Sequence, residues 1–319
     1  MDVGLTIPTR GPLATPESVQ AFARRAEELG FAHLAVPDHL VVPRSIDSRY
    51  PYSASGEFPG AASGACFDQF SLLAYLAAIN ATARLLTSVT VIPHRGAVHT
   101  AKIVATIDVL SRGRMILGVG AGWMKEEFEA LGAPPFEERG RVTDEYLQAF
   151  KSLWTEDNPR FDGKHVRFSN ISFLPKPVQQ PHPPIWVGGE SPAALRRVVR
   201  YGDVWFPIGN NPRHPLDTVK RFAAGLEELG RVAEQNGRDP HSVGLAFFAN
   251  WFDETKTLAA ASGERLMLSG SAEQIAQDMA ALAELGVRDL TLNFQRETLE
   301  QSLRSMQHFA EAIRPLADR

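Results

Sequence analysis

A single cysteine, Cys66, stands among 319 residues, so the chain has no internal disulfide. With no second cysteine and no histidine at metal-ligand spacing, Cys66 reads as a loop or core thiol instead of part of a zinc site. The nine histidines include no His-x-His and no His-Glu-x-x-His, the patterns of barrel hydrolases and zinc peptidases, and no metal is expected. No uncharged run approaches the ~20 residues of a membrane span. The chain opens on a strand-like run, Val3 to Pro8, where a secreted precursor would carry a basic and then an apolar segment. Positive charge is also short: a formal net charge of -4 and a pI near 6.2 offer no field to draw in phosphate backbones or anionic lipid. These absences predict a cytoplasmic protein with neither nucleic acid nor membrane as partner.

What is present is a repeated pattern. Apolar content of 44% is enough for a large core, and short apolar runs alternate with helix-period segments, the signature of parallel βαβ units. The strand-like runs are Val3 to Pro8, His33 to Pro37, Leu86 to Pro93, Met115 to Val119, Pro184 to Val187, Asp203 to Pro207, Val243 to Asn250 and Asp289 to Phe294. Helices are predicted from Pro16, capped by Thr15, to Gly30, and over Phe70 to Ala81, Val98 to Leu110, Glu126 to Leu131 and Val142 to Trp154. More follow Pro192 and over Leu216 to Asn236, Ala272 to Leu285 and Leu299 to Ile313. Eight such steps close a (β/α)₈ TIM barrel as one domain over residues 1–319, with a doubly wound open sheet as the rival arrangement. Two insertion segments interrupt the pattern. Val41 to Gly64 is too long for an ordinary connection and reads as a lid; Phe161 to Phe173 reads as a small hairpin.

In a barrel of this kind the chemistry sits at the carboxyl ends of the strands. His39, just past the second run, is the side chain there whose ordinary pKa near ~6.5 suits proton transfer, and Asp38 beside it suits a cofactor hydroxyl. The plain alternative makes them a hydrogen-bonded loop histidine and a turn acid. Gly188-Gly189-Glu190-Ser191-Pro192 leads from a strand through two glycines into a helix start. Such a turn offers backbone N–H groups and the helix dipole to an anion, or is simply a capped turn. Gly118, Gly120 and Gly122 lack the dinucleotide spacing; they leave room either for a flat ring system or for tight packing. Trp123 is a candidate wall of the substrate pocket. Arg95, His99 and Lys102 form a small cationic group suited to a polyanionic tail, or to a solvated face.

Five segments carry a family resemblance: Ala32 to His39 (AHLAVPDH), Ala105 to Trp123 (ATIDVLSRGRMILGVGAGW), Glu137 to Leu147 (EERGRVTDEYL), Pro183 to Arg197 (PPIWVGGESPAALRR) and Gly202 to Pro207 (GDVWFP). In order and spacing the chain resembles the luciferase-like monooxygenase superfamily, especially its oxidoreductases dependent on coenzyme F420, a deazaflavin. The resemblance implies a TIM barrel of the bacterial luciferase-like type, with the phosphate of the cofactor at Gly188, Gly189 and Ser191. It implies that Asp38, Val91, Ala121 and Gly122 line the cofactor, and that a backbone bulge, often a non-proline cis peptide, backs the ring around Ser88 and Val89. His39 matches the proton donor of the sugar-phosphate dehydrogenase branch. That branch has a carboxylate directly after its fourth-strand glycines where this chain has Trp123, which argues for a more apolar substrate.

The implied activity is hydride transfer between F420 and a small organic substrate, with His39 moving the compensating proton. The alternatives are a monooxygenase using reduced FMN, with a partner reductase supplying it, and a non-catalytic flavin or deazaflavin carrier. A homodimer is what the resemblance implies for assembly.

Overall fold

A computed structural model describes residues 1–61, 64–260 and 262–317. Among the described residues eight parallel strands close into a barrel: β1 (Asp2–Thr6), β2 (His33–Val36), β3 (Arg84–Thr87), β4 (Met115–Gly120), β5 (Ile185–Gly188), β6 (Val204–Phe206), β7 (Gly244–Ala249) and β8 (Asp289–Leu292). Each pairs in parallel with its sequence neighbour, and β1 with β8 through Asp2↔Asp289 completes the ring. The open doubly wound sheet is therefore excluded. The helices are α1 (Pro16–Glu28), α2 (Gln69–Ile79), α3 (Ala97–Leu110), α4 (Lys125–Leu131), α5 (Arg139–Thr155), α6 (Pro192–Tyr201), α7 (Val219–Gln235), α8 (Ala272–Glu284) and α9 (Leu299–His308).

Local chemistry sets these ends. Thr15 accepts a hydrogen bond from the Ser18 N–H with Pro16 in the first turn, Ser191 does the same for Ala194, and Ser271 and Thr298 make reciprocal boxes with Gln274 and Gln301. The helix expected from Leu216 starts at Val219, because Thr218 caps it and Leu216 is buried in the loop before. The third strand departs most from expectation. It starts at Arg84, breaks after Thr87, resumes for Thr90–Val91, and passes into a 3₁₀ turn at Ile92–His94. Pairing of Leu86 with Ile116 but of Thr90 with Val119 places one extra residue in this strand, a bulge, and the Ser88–Val89 peptide within it is cis. The small hairpin is Phe161–Asp162 paired with Arg167–Phe168.

The barrel interior is filled by large rings facing small residues. Trp186 and Phe206 pack 5.3 Å apart among Ala35, Leu86, Ile116 and Ala246. Toward the amino end of the strands His33 is fully buried beside Trp186, with Nε2 2.7 Å from the Thr291 hydroxyl. Burial first, and the nearby Arg84 charge second, push its pKa down to about 3. Folding therefore takes up His33 neutral, whereas the unfolded chain protonates it through ~6.5. The sign follows: stability is complete above ~6.5 and declines as the pH falls toward 3, by about 5 kcal/mol over that window. Urea unfolding at stepped pH should show this slope in the wild-type protein and a flatter one in His33→Gln; equal slopes would assign the acid lability elsewhere.

Candidate active site

The sequence-predicted residues converge at the carboxyl ends of β2 to β5. His39 is 8% exposed, and its Nδ1 lies 2.8 Å from Oε2 of Glu127, itself 1% exposed, in the first turn of α4. Burial works against a charge on Glu127, yet the hydrogen bond from His39 and the flanking imidazoles of His39 and His94 outweigh it and hold the carboxyl below its usual range. An ionised carboxylate only accepts, so Nδ1 carries the hydrogen, and Nε2 on the opposite edge of the ring is the group left for chemistry. The other oxygen of Glu127 accepts from the Leu40 N–H at 2.8 Å and the Val41 N–H at 3.3 Å, which fixes the chain directly after the imidazole. The neighbouring Glu126 accepts from the Asp47 and Ser48 N–H groups. Two consecutive carboxylates of one short helix thus pin both His39 and the first part of the long loop.

Glu127 was not among the expected site residues. In sequence it sits in Lys-Glu-Glu-Phe-Glu-Ala-Leu, which reads as a solvated helix with acids in its first turn. The available signal was an acid directly before the apolar Phe128 on so short a helix.

The loop folds back over this dyad as an aromatic wall. The Phe58 ring is 4.9 Å from His39 and 5.4 Å from Trp123, and Tyr50 is 5.1 Å from Trp123 and 5.4 Å from Phe58. Trp123 lies 6.5 Å from His39, edge to face. Trp123, expected as a wall of the substrate pocket, packs against side chains of the segment expected as a lid over Val41 to Gly64, of which Ala62 and Ser63 lie outside the described residues. Burial raises the pKa of both Tyr50 and Tyr52, so the phenols stay neutral at ordinary pH.

Asp38 is tied into the fold itself. Its carboxylate is completely buried, takes both terminal nitrogens of Arg95 at 2.8 and 2.9 Å, and accepts from the Val91 N–H at 2.9 Å. With its oxygens so engaged it locks the resumed third strand to the second. The proposed cationic cluster is dispersed for the same reason: Arg95 turns inward to Asp38 and Asp68, Lys102 binds the Leu174 carbonyl over the Phe173 ring, and His99 is exposed.

The glycine run is explained by the chain itself. A Cβ at Gly118 would fall 1.9 Å from the Thr87 carbonyl oxygen; one at Gly120 would fall 2.8 Å from Val89, and one at Gly122 2.7 Å from both Val91 and Phe128. Glycines two apart on β4 thus receive residues two apart on the bulged strand. A Cβ at Gly188 would meet the other methyl of Val89 at 3.1 Å, so Val89 lies between the β4 and β5 ends. Ser88, Val89, Ala121, Gly122, Gly188 and Gly189 remain half-buried at the strand ends, whereas Val91 is buried.

Beyond β5, Gly189 has φ +101°, and Ser191 caps α6. Glu190 turns inward: its oxygens accept from the Ile208 N–H at 2.7 Å and the Asn211 amide at 3.0 Å. Burial raises its pKa to about 7 against the lowering effect of those hydrogen bonds. Among the described residues no three His, Cys, Asp or Glu side chains are grouped to hold a metal ion, and no helix is long and apolar enough to cross a membrane.

The site thus lies at the carboxyl end of a parallel barrel, where barrel enzymes carry their chemistry. The family model for luciferase-like monooxygenase matches residues 1–250, and the chain belongs to that family; it is an enzyme of the luciferase-like oxidoreductases and monooxygenases. It is 34% identical over 237 residues to an uncharacterised protein of Mycobacterium tuberculosis, covering 73% of this chain and 82% of that one. It is 33% identical over 260 residues to the FMNH(2)-dependent dimethylsulfone monooxygenase of Pseudomonas putida, covering 68% of this chain and 69% of the other. In structure it is similar to an F420-dependent secondary alcohol dehydrogenase (TM-score 0.75, 17% identity, 99% of this chain and 98% of that chain). A comparable likeness links it to the monooxygenase RslO1 of Streptomyces bottropensis (TM-score 0.73, 22% identity, 99% of both chains).

Proposed function

We propose that the chain transfers a hydride between the deazaflavin F420 and a small, fairly apolar organic substrate, with His39 giving or taking the accompanying proton. The observation that carries this reading is the His39–Glu127 pair: a hydride moved to or from carbon leaves a proton to be placed, and the pair presents one imidazole nitrogen for it. Tests of fit favour a phosphorylated cofactor. Gly188 and Gly189 bring the backbone to the strand end without side chains, Ser191 offers a hydroxyl, and the first turn of α6 leaves N–H groups beyond the helix's own bonding. Glu190, the one acid in that turn, keeps both oxygens on Ile208 and Asn211. When bound, the cofactor supplies the redox chemistry that side chains lack.

The chain's own part is positional. Glu127 sets the tautomer and tilt of His39, and Tyr50, Phe58 and Trp123 keep water from the reacting edge. The same rings give the substrate an apolar bed, which fits the replacement of a carboxylate by Trp123.

A second reading, a monooxygenase fed with reduced FMN by a partner reductase, is favoured by the 33% identity to the dimethylsulfone monooxygenase. Turnover in the presence and absence of oxygen separates the two. Hydride transfer with F420 should proceed at the same rate in an anaerobic cuvette; loss of all product formation without oxygen would move the function to the monooxygenase.

A further inference from the structure

The lid is fastened at two separate places, one after β4 and one after β6. Its start is held by α4, where Glu126 and Glu127 take the N–H groups of residues 40, 41, 47 and 48. Farther along, the Asn210 amide donates to the Tyr52 carbonyl at 3.0 Å, a contact between residues 158 apart in sequence. Asn210 lies on the loop after β6, the loop that Glu190 grips through Ile208 at 2.7 Å and Asn211 at 3.0 Å. Glu190 follows Gly189 in the turn proposed above to hold the phosphate. Hydrogen bonds joined by the short backbone stretch 208–211 therefore link that turn to Tyr52. Ring contacts extend it, from Tyr52 to Tyr50 at 5.6 Å, from Tyr50 to Phe58 at 5.4 Å, and from Phe58 to His39 at 4.9 Å.

We propose that Asn210 is a positioning residue that latches the aromatic lid, through Tyr52, to the Glu190-held loop beside the anion-type turn. The latch itself stands on the hydrogen bonds; its coupling to a bound cofactor rests on the function proposed above. Asn210 touches no reacting group in this scheme. It acts by keeping Tyr50 and Phe58 against Trp123 and His39, so that the imidazole faces a dry substrate bed.

Limited trypsinolysis of the purified protein tests the latch directly, because Arg44 and Arg49 are exposed in the lid and the Arg49–Tyr50 bond is three residues from the latch. Cleavage in the regime of fast reclosing follows the population of the open loop. Losing one amide-to-carbonyl hydrogen bond should raise that population roughly three- to tenfold. In ligand-free protein, Asn210→Ala should therefore release the fragment ending at Arg49 roughly three- to tenfold faster than wild type, with an unchanged melting temperature. Asn210→Asp, which keeps the size and removes the donor, should do the same and serves if the alanine variant does not fold.

Equal cleavage rates in wild type and both variants would overturn the latch. In a second arm FMN and F420 are added: a bound cofactor should protect the wild-type lid, while the alanine variant binds it with similar affinity and gains less protection. Full protection of the variant would overturn the link to the turn. Failure of both cofactors to bind wild type would instead count against the proposed function, and the ligand-free ratio would still decide the latch.

Discussion

Replacing His39 by alanine should lower turnover by about 10²- to 10⁴-fold, the usual contribution of a well-placed proton donor or acceptor. Cofactor affinity should change little, because the anion-type turn lies at the end of β5 and not on the loop after β2. The substitution leaves an oxygen of buried Glu127 without its imidazole, a penalty of about 1 to 3 kcal/mol, so rates are to be compared well below the melting temperature. Glu127→Gln offers the finer test. Its amide oxygen can still accept from the Leu40 and Val41 N–H groups, while the charge that orders Nδ1–H is gone, and a loss on the order of tenfold to a hundredfold is expected. Less than a twofold loss in His39→Ala, with unchanged substrate affinity, would remove the imidazole from the mechanism.

The largest effect on folding is expected at Gly118. An alanine methyl there would sit 1.9 Å from the Thr87 carbonyl oxygen, and that oxygen belongs to backbone fixed by strand pairing on one side and the bulge on the other. No side chain can swing away to relieve the contact. Gly118→Ala should cost about 4 kcal/mol or more and leave little soluble protein. Gly230→Ala is the matched control: the site is inside α7 with nothing within 4 Å of the added methyl and an ordinary helical φ, so alanine should stabilise by up to about 1 kcal/mol. Soluble yield and urea midpoints of the pair measure the difference, and a wild-type midpoint for Gly118→Ala would mean that the bulge yields easily.

The two substitutions also show what could be read from the sequence and what could not. The barrel was legible because its signals are local: Thr15-Pro16 and Ser191-Pro192 announce helix starts, and apolar runs of strand length alternate with amphipathic ones. The place of His39 just past a strand end was legible for the same reason. The partners of these residues were not. Glu127 lies 88 positions from His39 and Arg95 lies 57 from Asp38, so neither pairing has a local trace. In sequence Asp38 reads as a ligand anchor, and its tie to Arg95 has no local trace. Gly118, Gly120 and Gly122 announce missing side chains, yet the sequence is silent on whether a ligand or the neighbouring strand fills the space. Here the neighbouring strand does, through Thr87, Val89 and Val91.

The same non-local wiring concentrates the site's chemistry on few groups. One carboxylate orients the imidazole, its neighbour anchors the lid, and a third, Glu190, braces the loop after β6 that reaches the lid through Asn210. Each is buried or capped by backbone N–H groups, and removing one partner of such an enclosed polar contact leaves the other unsatisfied.

The central claim, a redox barrel whose mouth holds a phosphorylated flavin or deazaflavin beside His39, is tested most directly by titrating purified apo-protein with oxidised and reduced FMN and F420 and following fluorescence. Saturable, stoichiometric binding of F420 in preference to FMN is the expected result; binding of none of the four forms would contradict it.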